Sequence, residues 1–195
     1  MRVFGLTGSI ATGKSFVAEI FRQHNIVVFS SDGEVAKLLQ EKDVIKNIKN
    51  QPELLACVKE DSIDKRILSN IVFDNHKALK DLEEILHPLV DAKREEFIYN
   101  NQQEKVILLE IPLLFEKQYQ KLCYKTLTTY CSNKTQRERA LRRKNIDNHR
   151  LNFIIKQQMP GNIKAALTDY IIYTDISYEC TIKQIEQILL KERIR

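Results

Sequence analysis

The chain has 195 residues, 43% of them hydrophobic, which fits one folded domain, or one domain with an inserted region, and excludes a disordered chain. Its net charge of +5 suits an anionic ligand but is smaller than the clustered excess of most nucleic-acid-binding proteins. The four cysteines do not have the spacing of a metal site, and no apolar run approaches the ~20 residues of a membrane span. The P-loop begins too near the amino terminus to leave room for a signal peptide, so we expect a cytoplasmic protein.

The strongest motif lies near the amino terminus. Residues 3–6 are apolar enough for a buried strand, residues 16–21 continue as a helix, and the segment between them fits G-x-x-x-x-G-K-[ST]. In such a P-loop, backbone N–H groups and the helix N-terminus bind phosphates, the lysine reaches the β/γ-phosphates, and the serine hydroxyl holds Mg²⁺. The motif predicts that ATP is bound by Gly8, Ala11, Thr12, Gly13, Lys14 and Ser15, and the next residue, Phe16, is included in the expected ATP-binding set.

A second buried strand is predicted over residues 26–29, followed by a helix over 34–39. Asp32 therefore lies at the carboxyl end of a strand, where ligands bind in α/β sheets. Aspartate is also favoured as the N-cap of a helix. The position alone leaves a catalytic role and a capping role open.

The pattern changes over residues 40–100, where strand signals vanish. Helices are predicted over 43–50, 63–73 and 77–99, which is more than an ordinary crossover and indicates an inserted region that binds an acceptor substrate. His87-Pro88 interrupts the last helical pattern, so we expect a kink or a break there. A histidine at such a position can bind a ligand or be purely structural.

Residues 105–112 form the clearest interior strand, and a fourth strand is predicted over 126–131. Glu110 ends the apolar run of the interior strand. P-loop enzymes keep an acid that supports Mg²⁺ at this position, so Glu110 is predicted to be a site residue and not a surface charge.

Thr135-Gln136-Arg137-Glu138 has the form of a capping box and predicts the start of a basic helix. Arg139 and Arg143 are four residues apart and are expected to share one helix face. Such a face can be a solvated surface, an RNA-binding patch or an arginine lid over phosphates. The absence of interleaved aromatic residues disfavours RNA, and the upstream P-loop favours the lid.

The remaining chain predicts helices over 148–158 and 161–169, a fifth strand over 169–173, and a closing helix over 182–193 capped by Thr181 with Gln184. The predicted fold class is α/β, a three-layer α/β/α P-loop core with a five-stranded parallel sheet, an inserted helical acceptor-binding region and a helical lid. The expected divisions of this single kinase domain are a core (1–39, 103–132 and 165–195), the acceptor region (40–102) and a lid segment (133–164).

With these motifs in place, the chain resembles the dephospho-coenzyme A kinases over about residues 1–175. The resemblance is carried in family order by Gly5-Leu6-Thr7-Gly8 through Lys14-Ser15, Ser31-Asp32, Asp64-Lys65-Arg66, Leu86-His87-Pro88-Leu89, Glu110-Ile111-Pro112-Leu113-Leu114-Phe115-Glu116, Arg139 through Arg143, Gln158-Met159-Pro160 and Asp169-Tyr170-Ile171-Ile172. The chain departs from the usual family pattern where Ser9 and Ala11 replace loop glycines and where Tyr173-Thr174 replace Asp-Asn.

The resemblance implies transfer of the ATP γ-phosphate to the ribose 3′-hydroxyl of dephospho-CoA, with Mg²⁺ accompanying ATP. Asp32, Lys14 and Arg139 are the implied catalytic residues, and Arg143 joins the ATP-binding set. The implied acceptor-binding residues are Asp32, Arg66 and His87, and the implied metal-binding residues are Ser15 and Glu110. The implied partners are these two substrates, without nucleic acid or membrane, and we expect a monomer.

Two other functions remain to be separated from this one. A strand-end aspartate also occurs in other small-molecule P-loop kinases, such as those for nucleosides, nucleotides or shikimate, so Asp32 alone does not exclude them. A nucleotide-dependent RNA-binding module would use the basic helix and would show strongly salt-dependent RNA binding.

Overall fold

The structure is a computed structural model, which describes residues 1–194. In chain order its strands are β1 (Arg2–Thr7), β2 (Val27–Ser30), β3 (Val58–Lys59), β4 (Ser62–Ile63), β5 (Val106–Glu110), β6 (Lys125–Tyr130) and β7 (Tyr170–Tyr173). Its α-helices are α1 (Lys14–Gln23), α2 (Ser31–Leu38), α3 (Lys42–Lys49), α4 (Lys65–Asp74), α5 (His76–Asn100), α6 (Asn133–Leu141), α7 (Asn148–Lys156), α8 (Gly161–Leu167) and α9 (Tyr178–Lys191).

The chain divides into two compact units, one formed by residues 1–30 with residues 101 onward and the other by residues 31–100. In the first unit, five parallel strands form one sheet in the order β2-β5-β1-β6-β7. The predicted five-stranded parallel sheet is therefore confirmed. The register pairs Leu6 and Ser30 with Glu110 and pairs Thr7 with Thr128, so the carboxyl ends of the central strands share one edge.

One face of the sheet is covered by α1 and α9. Alternate residues of the strands point to that face because side chains of a β-strand alternate between its two sides. They pack with the apolar faces of both helices into one buried core, which includes Phe4, Leu6, Val106, Leu108, Leu127 and Ile172 of the strands and Val17, Phe21, Ile185 and Leu189 of the helices.

The opposite face is covered by the chain that follows β5. A Cβ at Gly5 would lie 2.6 Å from the Sγ of Cys123, and two methyl groups of Leu114 lie just beyond that. Every residue of β5 is buried. The continuous apolar run of this strand is thus explained by cover on both faces, as in other parallel sheets.

The second unit, residues 31–100, is mainly helical. Helices α2, α3 and α4 each pack against α5. The expectation that this stretch lacks strands is wrong, because β3 and β4 form a two-stranded antiparallel hairpin that pairs Val58 with Ile63. Strands of two residues are too short to show alternation, and the turn uses Glu60 at a φ of 51° instead of a recognisable glycine or asparagine.

Of the kink or break expected at His87-Pro88, the break does not occur: α5 runs through both residues from His76 to Asn100. A proline inside a helix removes one backbone hydrogen bond and costs about 3 kcal/mol. Packing offsets this cost, since Leu86 and Val90 on either side are buried in the unit. Tertiary contacts have overridden a local preference here.

Two predicted helix caps are wrong in the same way. Ser132, not Thr135, caps α6, and its Oγ accepts a hydrogen bond from the N–H of Thr135. Ser177, not Thr181, caps α9 by accepting from the N–H of Cys180. In both cases an upstream serine in extended conformation takes the capping position, and the helix begins earlier than the polar pattern indicated.

Candidate active site

The P-loop follows β1 and leads into α1, as the motif predicts. Gly8 and Gly13 have φ angles of 148° and 95°, which only glycine adopts readily. A Cβ at Gly8 would also lie 2.2 Å from the Oγ1 of Thr129. Both glycines of the motif are therefore required by backbone conformation, and Gly8 also by the neighbouring strand β6.

Ala11 replaces a usual loop glycine and still takes a left-handed conformation, with a φ of 60°. This conformation costs a non-glycine residue about 1 kcal/mol. The methyl group of Ala11 is buried against Ala140 of α6 and Leu151 of α7, and burying a methyl-sized group contributes roughly 0.8 kcal/mol. The packing nearly offsets the strain, so the loop keeps its shape without this glycine.

Threonine hydroxyls hold the interior of the loop. Thr12 Oγ1 lies 2.7 Å from Thr129 Oγ1 and donates to the carbonyl of Ser9 at 2.8 Å.

The Lys14 ammonium donates to the carbonyls of Gly8 at 2.8 Å and Ser9 at 3.4 Å. Lys14 thus lies along the inner side of the loop, where a lysine can neutralise phosphate charge.

Ser15 and Glu110 come together at the end of the P-loop. Ser15 Oγ donates a hydrogen bond of 3.2 Å to Oε1 of Glu110, although 95 residues separate them. Glu110 is only 4% exposed, so the prediction that it is not a surface charge is confirmed. A hydroxyl and a carboxylate are hard oxygen donors of the kind that Mg²⁺ takes beside nucleotide phosphates, and this pair fits that ion.

The lid segment, residues 133–164, is hydrogen-bonded to the P-loop by two glutamines. Gln136 of α6 donates from Nε2 to the carbonyl of Ile10 at 2.9 Å. Gln158, two residues after α7, accepts from the N–H of Ile10 at 2.9 Å. Both polar groups on the backbone of Ile10 are therefore satisfied by amide side chains of the lid segment.

Arg139 of α6 is anchored by Thr174, one of the residues at which the chain departs from the usual family pattern. Its guanidinium donates to the carbonyl of Thr174 at 2.6 Å and to Thr174 Oγ1 at 3.2 Å. Thr174 Oγ1 in turn donates to the carbonyl of Thr12 at 2.8 Å. A chain of hydrogen bonds thus links Arg139 to the P-loop.

The predicted shared helix face of Arg139 and Arg143 is not formed. Helix α6 ends at Leu141, and Arg143 follows in a turn in which its N–H donates to the carbonyl of Ala140. The side chain of Arg143 is exposed. The two arginines belong to the same segment but not to one regular helical face.

Phe16, predicted to contact ATP, follows the P-loop on α1. Its ring is 37% exposed and lies 5.3 Å, centroid to centroid, from the ring of Tyr178. Tyr173 and Ile176, which precede Tyr178 in the chain, are also about half exposed. Exposed aromatic rings next to a P-loop offer a surface on which a base can stack.

The predicted acceptor-side residues lie in the second unit. Helix α2 begins at Ser31, so the exposed Asp32 lies within its first turn and does not precede it as an N-cap. His87 is half-buried within α5.

Arg66 is exposed in the first turn of α4. Asp64 caps this helix by accepting from the N–H groups of Arg66 and Ile67. A hydrogen bond from Lys59 is the main reason that the pKa of Asp64 falls to about 2. The carboxylate that fixes the first turn of α4 therefore stays charged at neutral pH.

Sequence reasoning missed the residues that hold the loop from outside, which are Thr129, Gln136, Gln158, Lys164 and Thr174. Gln158 lies within a stretch that carries the family resemblance, which was its only signal. In residues 1–194 no group of three or more His, Cys, Asp and Glu side chains forms a metal site of its own. Across the same residues, no helix combines the length and apolar character that a membrane span requires.

Comparison with known proteins gives consistent results. A family model described as dephospho-CoA kinase matches residues 2–179. A curated dephospho-CoA kinase from Bartonella quintana (strain Toulouse) is 36% identical over 191 residues, covering 97% of each chain. A solved dephospho-CoA kinase from Campylobacter jejuni is 28% identical, with a TM-score of 0.65, over 97% of this chain and 96% of its own. A shikimate kinase from Acinetobacter baumannii shares the fold, with a TM-score of 0.53 at 13% identity, over 100% and 96% of the two chains.

Proposed function

Because the chain belongs to the dephospho-CoA kinase family, which catalyses ATP-dependent phosphorylation of dephospho-CoA in the last step of CoA biosynthesis, we propose that it transfers the ATP γ-phosphate to the ribose 3′-hydroxyl. The observation that carries this assignment is the pairing of Ser15 with the buried Glu110 at the end of a complete P-loop. That pairing supplies the two parts that a P-loop kinase needs beside its lysine.

Lys14 and Arg139 are the proposed stabilisers of the transferring phosphoryl group. In phosphoryl transfer, negative charge spreads over the three equatorial oxygens, and fixed cations lower the barrier by neutralising it. Hydrogen bonds to Gly8 and Thr174 hold the two side chains in the same unit as the loop. The exposed Arg143 is proposed to contribute a weaker charge to ATP binding.

Asp32 is the proposed base that accepts or orients the proton of the 3′-hydroxyl. Its side chain is exposed in the first turn of α2, so its carboxylate is accessible to an acceptor hydroxyl. Arg66 and His87 are proposed to bind the acceptor. An exposed arginine suits the diphosphate of dephospho-CoA, since a guanidinium binds phosphate oxygens through paired hydrogen bonds.

Mg²⁺ is the proposed companion of ATP, with Ser15 and Glu110 as the residues that would hold it. When bound, Mg²⁺ neutralises charge on the β- and γ-phosphate oxygens. The contribution of this chain is to keep the Ser15 hydroxyl hydrogen-bonded to a buried carboxylate, which fixes the orientation of that hydroxyl.

Glu110→Gln should raise the Mg²⁺ concentration needed for half-maximal turnover by about 10-fold, because a metal site that loses a supporting carboxylate commonly loses 10- to 100-fold in affinity. The measurement is ADP release at saturating substrates over a Mg²⁺ titration. Glu138→Gln, a change of an exposed acid on α6, is the control and should leave the midpoint unchanged. An unchanged midpoint in Glu110→Gln would remove Glu110 from the metal site.

We further propose that the protein works as a monomer in the cytoplasm, with no nucleic-acid or membrane partner. All four cysteines, each within the described residues, are free thiols, which suits a reducing compartment. Light scattering at micromolar concentration measures the oligomeric state. A mass of two chains would contradict the monomer.

The experiment that tests the proposed reaction compares acceptors in one assay. ADP release from ATP is followed with dephospho-CoA, shikimate, nucleosides and nucleoside monophosphates, and the phosphorylated position is read by ³¹P NMR. We expect turnover with dephospho-CoA and phosphate on the 3′-oxygen. Turnover with another acceptor but none with dephospho-CoA would contradict the assignment, and phosphate on a different oxygen would contradict the regiochemistry.

A further inference from the structure

Lys164 is a buried cation that the proposed mechanism does not use. It lies in the middle of α8, and its side chain is 0% exposed. Burial lowers the pKa of Lys164, whereas the hydrogen bond and the charge of Glu116 act in the opposite direction. Lysine is almost never fully buried unless it is paired, so a fully buried lysine needs a specific reason.

The contacts of Lys164 lie at the carboxyl edge of the central strands. Its Nζ donates to the carbonyl of Pro112 at 2.6 Å, pairs with Glu116 Oε1 at 2.9 Å, and lies 3.4 Å from Thr7 Oγ1. Thr7 Oγ1 also donates to the carbonyl of Pro112 at 3.0 Å. One ammonium group therefore joins the ends of two neighbouring strands.

These two strand ends lead directly into the proposed ATP site. Thr7 is the last residue of β1 and precedes Gly8, the first glycine of the P-loop. Pro112 follows Glu110, the last residue of β5, by two positions. Any shift between Thr7 and Pro112 would move the loop against the carboxylate that pairs with Ser15.

Both members of the ion pair are connected to the lid segment, since Lys164 is its last residue. Glu116 Oε1 accepts a second hydrogen bond from the N–H of Met159 at 2.7 Å. Met159 directly follows Gln158, whose side chain accepts from the N–H of Ile10 in the P-loop. The Lys164–Glu116 pair is thus connected to the loop from both the sheet and the lid segment.

A contribution to stability alone does not account well for this arrangement. Desolvation of the fully buried Lys164 and of Glu116, whose side chain is 18% exposed, consumes much of their mutual attraction, and apolar replacements of buried ion pairs are often as stable as the pair itself. What an apolar residue cannot supply is one donor that reaches both the carbonyl of Pro112 and the Oγ1 of Thr7. The reason for a lysine at position 164 is therefore the placement of its ammonium between two strand ends, and not the net energy of its ion pair.

We propose that Lys164 is a positioning residue for phosphoryl transfer, which fixes Thr7 against Pro112 so that the P-loop and Glu110 keep their relative placement. The proposal rests on the proposed ATP site formed by Lys14, Ser15 and Glu110. It assigns no contact between Lys164 and either substrate.

The test compares Lys164→Met, Glu116→Gln and the double variant Lys164→Met/Glu116→Gln. The readouts are kcat, KM for ATP, Kd for N-methylanthraniloyl-ADP, the Mg²⁺ midpoint and Tm. We expect Lys164→Met and the double variant each to lower kcat by about 10-fold and to raise the Mg²⁺ midpoint several-fold, because small misplacements of reacting groups cost one to two orders of magnitude in rate. Glu116→Gln keeps the contacts of Lys164 with Pro112 and Thr7 and should stay within about 2-fold of wild type.

Asp169→Asn is the matched control at the opposite edge of the sheet. Asp169 accepts hydrogen bonds from the N–H and the Oγ1 of Thr126, both at 2.8 Å, near the amino ends of β6 and β7. Its loss should lower Tm and leave kcat and the Mg²⁺ midpoint unchanged. This control separates a loss of stability from a loss of positioning.

Three outcomes would overturn the proposal. The first is a Lys164→Met protein with lowered Tm but wild-type kcat and Mg²⁺ midpoint. The second is a Glu116→Gln protein with the same loss of kcat as Lys164→Met. The third is failure of the double variant to fold while Glu116→Gln folds, which would make Lys164 a folding residue. A separate experiment tests the proposed ATP site. Wild-type ATP binding and turnover in a Lys14 variant would show that this site is wrong, whereas the three outcomes above concern only Lys164.

Discussion

Asp32→Asn should lower kcat by about 10³-fold and leave the Kd for ATP within about 2-fold of wild type. A carboxylate that takes up a proton in the transition state contributes typically 10²- to 10⁴-fold, and an amide of the same shape cannot accept that proton. ATP binding is expected to persist because the proposed phosphate-binding groups are those of the P-loop and do not include Asp32. The measurements are single-turnover phosphoryl transfer and fluorescence titration with N-methylanthraniloyl-ATP.

The matched control for this variant is Asp43→Asn. Asp43 lies in the first turn of α3, as Asp32 lies in the first turn of α2, so both changes remove the same favourable interaction with a helix dipole. Asp43→Asn should keep wild-type turnover. Equal turnover in the two variants would show that Asp32 acts only on the helix and is not a catalytic residue.

Lys14→Met should lower kcat by about 10³-fold and also raise the Kd for ATP by about 10-fold, since the lost charge acts on bound phosphates and more strongly on the transferring group. Methionine keeps the length and the apolar part of the side chain. Its thioether cannot donate to the carbonyls of Gly8 and Ser9, as the ammonium does. Stopped-flow nucleotide binding and steady-state turnover measure both effects.

Lys42→Met provides the comparison for that substitution. Lys42 is the first residue of α3, as Lys14 is the first residue of α1, and it is exposed. We expect no change in nucleotide affinity or rate. If Lys14→Met keeps wild-type values for both, Gly8 to Ser15 does not form a nucleotide site in this protein.

Local patterns predicted the elements that position the site. The P-loop was predictable because its chemistry is encoded in eight consecutive residues, from Gly8 to Ser15, between a strand and a helix. Glu110 was predictable because it ends a fully apolar strand, and the carboxyl ends of parallel strands form the edge of the sheet where ligands bind. In each case the signal comes from residues adjacent in the chain.

The residues that hold the loop from outside could not be predicted in this way. Gln136 and Gln158 reach the backbone of Ile10 from 126 and 148 residues away. Gln136 carries no local pattern that distinguishes it from a surface residue of a helix, and Gln158 is marked only by the family resemblance of its stretch. Lys164 would be assigned to solvent by any hydrophobicity pattern, yet it is fully buried because two strand ends and Glu116 supply acceptors. Such partners are created by tertiary structure.

Local preference also failed where packing competes with it. His87-Pro88 favours a break, but helix α5 continues because its flanking apolar residues are buried. The polar pattern at Thr135 favours a cap, but Ser132, three residues earlier, takes that role. Both errors leave the order of the elements unchanged and shift only their boundaries or continuity.

Because it has Ala11 where a usual loop has glycine, this P-loop loses less conformational entropy when it binds a ligand. A glycine explores both signs of φ when unliganded and loses that freedom when the phosphates bind. Ala11 is already fixed at a positive φ by the contacts of its methyl group with Ala140 and Leu151. The ordering is thus completed during folding, and nucleotide meets a preorganised loop whose association needs less loss of backbone freedom.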